Sequence, residues 1–149
     1  MLISEPTVDT GIASYGHIPS KTIIKQGPLR QQPRESFYGN REYKRHLLLD
    51  KDPKHQFQKR CTQLLFRIHE GQGRATYLIG VEDNGSTATG LSTSELSSSM
   101  ANLHAILTAA AIQLNKLILY NWLDNETMQN RYIIVARLSK ELSTDQLIP

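Results

Sequence analysis

Residues 70–85 have the sequence EGQGRATYLIGVEDNG, and this run decides the fold. Gly71 predicts the end of a helix, because glycine adopts the left-handed conformation that closes a helix without strain. Residues 75–83 place apolar side chains on both faces of an extended chain, which predicts a strand inside a sheet. Residues 83–85 then predict a hairpin turn, because Asn and Gly tolerate a positive φ. The run therefore predicts a helix, a central strand and a hairpin in direct succession.

A helix and a strand are predicted before this run. Asp52 suits the N-cap and Pro53 suits the first helical position, because proline has a preset φ and lacks an amide hydrogen that would go unpaired there. Residues 41–49 alternate in the way that predicts a first strand. Apolar side chains follow Pro53 along one helical face. They are Phe57, Cys61, Leu64, Leu65 and Ile68.

A second helix and further strands are predicted after the run. Residues 87–91 are expected to return as the short partner strand of the hairpin. Ser92 and Glu95 have the spacing of a capping box, and the apolar residues after them continue at intervals of three and four. Residues 117–123 and 131–138 predict the last two strands, joined by a turn. The predicted order is β-α-β-(β)-α-β-β.

Composition divides the chain into three parts. Residues 1–40 contain proline and glycine without a sustained hydrophobic period, which predicts a disordered basic arm. Residues 41–140 predict a single α/β domain, with a mixed sheet of four to five strands and two packed helices. Residues 141–149 predict a C-terminal tail.

Neither a membrane span nor a secretion signal is predicted. No run of about 18 apolar residues occurs, and the first residues lack a basic segment followed by an apolar one. Cys61 is the only cysteine in the sequence, so no internal disulfide can form. Its place in the apolar helical pattern predicts a small buried side chain. We therefore expect a cytoplasmic protein that does not contact membranes.

Positive charge is concentrated in one part of the chain. Residues 21–60 hold eleven Lys or Arg against four Asp or Glu, although the net charge of the whole chain is only +3. Such a stretch favours a polyanion, of which RNA is the commonest intracellular example; a solubilising linker is the alternative. Tyr38 and Tyr43 are candidates for stacking on a base. The candidate nucleic-acid-binding residues are Lys44, Arg45, Lys51, Lys54, Lys59 and Arg60.

No catalytic, cofactor or metal site is predicted. Gly80 and Gly85 have the spacing of a phosphate-binding loop, but Ser86 stands where the phosphate-binding lysine is required, and no helix begins at once. One cysteine and five histidines do not form a metal-ligand pattern. Glu82 and Asp83 could act as an acid pair, but carboxylates beside a turn are usually ordinary turn residues.

The chain resembles the family of GTP-binding proteins 1 and 2, which are elongation-factor-like GTPases. The similarity covers residues 42–107 and is strongest at 70–73 and 77–85. It corresponds to the domain that precedes the GTPase core in that family. The resemblance implies a cytoplasmic role beside the ribosome, in translational GTP hydrolysis and RNA quality control.

The resemblance does not extend to the GTPase itself. Arg74 stands where the family usually has an acidic residue, and residues 86–89 lengthen its hairpin. After Leu138 the family would soon begin its phosphate-binding loop, whereas this sequence runs only to Pro149. The resemblance therefore implies a fragment, a short isoform or a stand-alone copy of the accessory domain. Such a domain would contact RNA, a protein partner or the missing GTPase domain.

A second resemblance is to the AlbA-like domain of Schlafen proteins. It is carried by residues 42–44, 79–85 and 90–91, with the sequences EYK, IGVEDNG and GL. Those domains bind nucleic acid and some cut RNA, so this resemblance implies nucleic-acid binding. Cleavage would need a carboxylate cluster with a divalent ion, for which Glu42 is the candidate. Binding is favoured over cleavage.

Overall fold

The computed structural model describes residues 22–142, which contain five strands and two helices. The predicted α/β class, with a mixed sheet and two helices, is confirmed. Within this range neither helix combines the length and the apolar content that a membrane crossing needs. The elements are β1 (Thr22–Gln26), β2 (Arg41–Lys44), α1 (Pro53–Glu70), β3 (Arg74–Ile79), α2 (Thr93–Ala110), β4 (Gln113–Asp124) and β5 (Gln129–Ser139).

One sheet contains all five strands, in the order β1-β4-β5-β3-β2. The central strand β5 pairs antiparallel with both β4 and β3. The outer strands β1 and β2 pair parallel with β4 and β3. β3 therefore lies inside the sheet, as its two apolar faces predict.

The two faces of the sheet are covered differently. Both helices pack on one face and form the larger apolar core with alternate residues of the strands. The opposite face carries a smaller cluster that contains no helical residue and is covered in part by Leu29. Within residues 22–142, one face of the sheet therefore carries no helix. The smaller cluster consists of Tyr43, Leu78, Val81, Ile118, Ile133 and Val135.

Residues 22–40 belong to the folded structure, although their sequence pattern predicts a disordered arm. β1 pairs with β4, Leu29 packs on the smaller cluster, and the Gln32 N–H donates to the Gly85 carbonyl at 3.0 Å. The prediction of disorder is wrong here because the partners are distant in sequence and leave no local pattern. Residues 1–21 of the predicted arm and 143–149 of the predicted tail lie outside the described residues.

β2 is shorter than predicted and ends at Lys44. Beyond it, the backbone of Leu47 turns away from the sheet to meet α2. The Leu47 N–H donates to Ser99 Oγ at 3.1 Å, and the Leu47 carbonyl accepts from Asn102 Nδ2 at 2.6 Å. These bonds replace the strand pairing that the alternation of residues 41–49 predicts.

The start of each helix was predicted, but only one cap forms as expected. Ser92 and Glu95 make a reciprocal capping box: the Glu95 N–H donates to Ser92 Oγ at 3.1 Å, and the Ser92 N–H donates to Glu95 Oε1 at 2.9 Å. Pro53 begins α1 as predicted. Asp52 has a φ of +44° and its side chain makes no cap hydrogen bond, so its predicted capping role is wrong.

The end of α1 differs from the prediction in one residue. The Gly73 N–H donates to the Ile68 carbonyl at 2.8 Å, a bond typical of a Schellman motif. The left-handed residue is Gln72, with a φ of +53°, and not Gly71. Gly71 is required for space, because a Cβ there would overlap the carbonyl oxygen of Arg74.

The hairpin predicted after β3 does not form. Residues 80–91 are an irregular loop, in which Leu91 makes an isolated antiparallel bridge with Tyr132 of β5. The turn at residues 83–85 exists, but its carbonyl groups accept hydrogen bonds from residues 32–35. The backbone of the turn is thus used by a distant segment and not by a returning strand.

Candidate nucleic-acid interface

Two of the six candidate nucleic-acid-binding residues are held in ion pairs. Lys44 ends β2, and its Nζ lies 3.2 Å from Glu42 Oε2. Arg45 follows, and its Nη1 lies 3.6 Å from Glu95 Oε1. Carboxylates of the domain therefore already balance part of both charges, which reduces the attraction they offer to a phosphate.

The other four candidates lie at the start of α1 and just before it. Lys51, Lys54 and Lys59 are exposed, and Arg60 is half-buried with its Nη1 3.4 Å from Gln63 Oε1. At 3.6 residues per turn, Lys54, Lys59 and Arg60 point in three directions roughly 100° to 140° apart. A short anionic ligand cannot contact all three together.

A different group of cations lies on the sheet face opposite α1 and α2. Lys116 of β4 is opposite Arg137 of β5, Arg137 is opposite Thr76 of β3, and Thr76 is opposite Arg41 of β2. Opposite residues on neighbouring strands project to the same face, so these form a row about 14 Å long across four strands. Two more cations share this face. The sheet-face cations are Lys25, Arg41, Arg74, Lys116 and Arg137.

The sheet-face cations have little internal compensation. Within residues 22–142, no carboxylate lies within 4.0 Å of any of the five. Arg41 Nη2 donates to Gln32 Oε1 at 2.6 Å, and Lys25 Nζ lies 5.9 Å from the ring centre of Tyr120. These contacts orient the side chains without neutralising their charges.

A shallow groove with a volume of about 520 Å³ runs between these side chains. Four of the five sheet-face cations line it, together with Leu29, Ile118, Tyr120 and Val135. In the described part of the chain its lining includes no acidic residue. Positive walls beside apolar and aromatic surface suit a ligand with phosphate groups and flat bases.

The sheet-face cations were missed by the sequence analysis for a physical reason. Charge density along the chain directs attention to residues 21–60, whereas these cations come from separate strands. Arg137 alternates with Val135 and Ile133, and this shows that the three share a face. The alternation does not show which face lacks helices or which strands are neighbours.

A buried arginine organises the edge of the sheet beside β2. Arg67 of α1 is only 5% exposed, and its Nε donates to Glu42 Oε1 at 2.8 Å. Its Nη1 donates to the carbonyls of Gly39 at 2.9 Å and Phe37 at 3.4 Å, and its Nη2 donates to that of Ser36 at 2.8 Å. The planar guanidinium has five donors and can hold several oxygens at once. Arg67 thereby fixes the loop before β2.

Three carboxyl groups influence one another beside this arginine. Burial raises the pKa of Glu35, a hydrogen bond from the Tyr43 N–H lowers it, and the negative charges of Glu42 and Asp83 raise it again, with a net rise. Glu42 is paired with Arg67 and is not free. Among residues 22–142, no three His, Cys, Asp or Glu side chains are arranged to hold a metal ion.

Gly80 and Gly85 serve close backbone packing. Gly80 has a φ of +101°, and a Cβ there would lie 3.1 Å from the Tyr132 carbonyl oxygen. Gly85 has a φ of +91°, and a Cβ there would overlap the Gln32 carbonyl. No helix follows until Thr93. The spacing that resembles a phosphate-binding loop is therefore explained by backbone turns.

Comparison with known proteins gives a partial match. No protein-family model matches the chain. A stretch of 72 residues, 48% of the chain, is 43% identical to GTP-binding protein 2 of Mus musculus, and the protein of the same name from Homo sapiens matches to the same extent. The chain covers 12% of the length of these relatives. Over this stretch the chain is related to a GTP-binding protein.

Proposed function

We propose that this chain is a non-catalytic accessory domain that binds RNA through phosphate groups and works beside a GTP-binding domain in the cytoplasm. The observation that carries the proposal is the row of sheet-face cations. These side chains face neither a helix nor a carboxylate within the described range. Neutralising phosphates with Lys and Arg releases counterions and gives affinity independent of base sequence.

The position of Lys116 and Arg137 supports an anionic ligand. They lie directly opposite each other on antiparallel strands, where like charges destabilise a sheet. A phosphate between them would remove this repulsion and add charge-assisted hydrogen bonds. The free protein thus retains a repulsion that phosphate binding relieves.

The relation to GTP-binding protein 2 supports the second part of the proposal. That name describes a protein that binds GTP, and the present chain matches a small share of its length. In this chain Ser86 replaces the lysine that a phosphate-binding loop requires. We therefore assign GTP binding to another domain, on the same protein or on a partner, and RNA or ribosome contact to this one.

The ion pairs of Glu42 support binding of RNA without cleavage. A Schlafen-like nuclease would need this carboxylate free to hold a divalent ion. Here Glu42 Oε1 accepts from Arg67 and Glu42 Oε2 lies 3.2 Å from Lys44 Nζ. We therefore assign Glu42 a structural role.

The test compares two matched triple variants of the full chain, each of which removes three positive charges. One changes the sheet face and is Arg74→Gln/Lys116→Gln/Arg137→Gln. The other changes the exposed lysines at the start of α1 and is Lys51→Gln/Lys54→Gln/Lys59→Gln. Affinity for a labelled RNA is measured across a salt series. We expect the sheet-face variant to bind at least about tenfold more weakly and to lose about two units of salt slope, and the other variant to change little.

The alternatives give different results. A loss confined to the second variant would move the binding site to α1 and the segment before it. Absence of wild-type binding near physiological salt would refute the RNA proposal. Circular dichroism of both variants controls for folding. Incubation with Mg²⁺ should leave the RNA intact, and cleavage that Glu42→Gln abolishes would show a nuclease.

A further inference from the structure

Three aromatic side chains form an exposed cluster at the β2 edge of the sheet. Phe37 is 77% exposed, Tyr38 is 67% exposed, and Phe66 of α1 is 39% exposed. The ring centres of Phe37 and Tyr38 are 5.0 Å apart, and those of Phe37 and Phe66 are 6.3 Å apart. We call these three residues the aromatic cluster. Together they expose roughly 300 to 450 Å².

The loop that carries Phe37 and Tyr38 is fixed from inside the molecule. Arg67 donates to three of its carbonyls, and the Gly39 N–H donates to Glu70 Oε1 at 3.0 Å. Removing a guanidinium from water is costly, and its bonds must offset that cost. Here those bonds hold the loop that displays the rings.

The same loop joins the aromatic cluster to the sheet-face cations. Residues 29–40 pass around β2, from Leu29 on the sheet face to the carbonyls held by Arg67 on the helix side. Arg41 ends the row of cations and follows Tyr38 by three residues. Their Cα atoms are therefore at most about 11 Å apart. A nucleic-acid strand that follows the row of cations from Lys116 to Arg41 reaches the aromatic rings where it leaves the sheet.

We infer that the RNA bound here is single-stranded and that its bases stack on Phe37 and Tyr38. This inference rests on the proposed function, because the sheet-face cations must hold the phosphates. Exposed rings can take a base only when that base is unstacked from its neighbours, which excludes the interior of a duplex. The sheet-face cations bind the phosphate backbone of the RNA, and the aromatic rings bind its bases.

A nucleic acid fits the aromatic cluster better than a protein partner does. A standard protein interface buries about 800 Å² on each partner, roughly twice the area that the three rings expose. Arg34 lines the same groove as Phe37 and Phe66. The exposed area of the cluster matches two or three stacked bases.

The experiment uses the full chain and three probes of equal length: a single-stranded oligouridine, an abasic oligonucleotide and an RNA duplex. The variant Phe37→Ala/Tyr38→Ala removes the rings, and Phe37→Leu/Tyr38→Leu keeps apolar side chains without aromatic faces. Leu123→Ala/Met128→Ala is the matched control, because it removes two exposed apolar side chains from the far end of the β4–β5 hairpin. Sedimentation measures self-association of each protein.

We expect wild type to bind oligouridine at least about tenfold more tightly than the abasic probe, because each stacked base adds affinity. Both the alanine and the leucine variant should lose this preference while the salt slope stays unchanged, since the phosphate contacts remain. The control should bind as wild type does, and the duplex should bind no more tightly than the abasic probe.

Other outcomes overturn the inference in distinguishable ways. Equal wild-type affinity for oligouridine and the abasic probe would refute base stacking and leave the proposed function intact. Binding of none of the probes would refute both. Full oligouridine affinity in the leucine variant would show that aromatic faces are not used. Self-association that the alanine variant abolishes, with RNA affinity unchanged, would identify the cluster as a contact between protein copies.

Discussion

At the scale of single residues, Arg67 connects the helical core to the loop before β2. The variant Arg67→Leu would leave the buried Glu42 with Lys44 as its remaining ion-pair partner and leave the loop carbonyls without a donor. Breaking a buried ion pair from one side costs about 3 to 5 kcal/mol. We expect the free energy of unfolding, measured in urea, to fall by an amount near the lower end of this range, because Lys44 still pairs with Glu42.

A double substitution distinguishes the energetic contribution of the ion pair from that of side-chain packing. Glu42→Leu/Arg67→Leu removes both members of the buried pair, so neither of these two charges is left buried without the other. We expect the double variant to lose less stability than the sum of the two single variants. Strict additivity would show that the Glu42–Arg67 pair has no energetic coupling.

A substitution at Ala111 is expected to increase the free energy of unfolding. It follows α2 with a φ of +55°, in the left-handed region that costs a non-glycine residue about 1 kcal/mol. Ala111→Gly should raise the free energy of unfolding by about 0.5 to 1 kcal/mol. Ala105→Gly, at an exposed site inside α2, is the matched control and should lower it by about 1 kcal/mol. If both glycine substitutions changed the free energy of unfolding equally, the left-handed conformation of Ala111 would not be strained.

At the scale of elements, one residue pair between β4 and β5 is expected to affect stability and ligand binding in opposite directions. Lys116→Glu would place a carboxylate opposite Arg137 and replace a repulsion with a cross-strand ion pair. We expect a gain of about 0.2 to 1 kcal/mol in stability, together with weaker RNA binding. Urea unfolding and an RNA titration of the same sample measure both. A variant that gains stability without losing affinity would remove Lys116 from the interface.

The capping box of α2 predicts a pH dependence. Burial would raise the pKa of Glu95, but hydrogen bonds from Ser92 and the charge of Arg45 outweigh it, so the pKa lies below its ordinary value of 4.5. A lowered pKa stabilises the fold above the ordinary value, and this contribution is lost as the pH falls through the folded-state pKa. Glu95→Gln keeps the cap geometry without the charge.

The stability difference between wild type and Glu95→Gln should therefore be largest near neutral pH and should shrink below pH 4.5. Urea unfolding at several pH values measures it. The raised pKa of Glu35 acts in the opposite direction, but it is present in both proteins and cancels in the difference. A difference that stays constant with pH would show that the charge of Glu95 is not involved.

Elements with a local signal were predictable, and elements that depend on distant partners were not. Both helices follow from apolar periodicity, and Ser92 and Glu95 set the start of α2 correctly. β1 has only five residues, and it is a strand because β4, far along the chain, accepts it in parallel. The row of sheet-face cations depends on the same long-range register and was missed for the same reason.

At the scale of the whole molecule, the fold separates stability from the proposed binding surface. Both helices and the larger core lie on one side of the sheet. The other side has a small apolar cluster, a groove and the sheet-face cations. Residues 29–40 connect the two sides by passing around β2. The segment that the sequence pattern assigns to a disordered arm therefore closes the smaller core and displays the aromatic cluster.

This arrangement predicts the effect of removing that segment. A chain that begins at Thr22 keeps β1 and Leu29, whereas one that begins at Arg41 loses both and uncovers the smaller apolar cluster around Ile118. Full burial of a leucine side chain contributes about 1.5 to 3 kcal/mol. Leu29 is partly buried and contributes less, and the ladder between β1 and β4 adds to its contribution. We expect the shorter chain to be less stable by about 3 kcal/mol or more and to bind a hydrophobic dye, with urea unfolding of the two chains as the measurement. If the chains that begin at Thr22 and Arg41 had equal stability, the contacts of residues 22–40 with the sheet would contribute nothing to the free energy of unfolding. The domain would then fold with this face of the sheet uncovered.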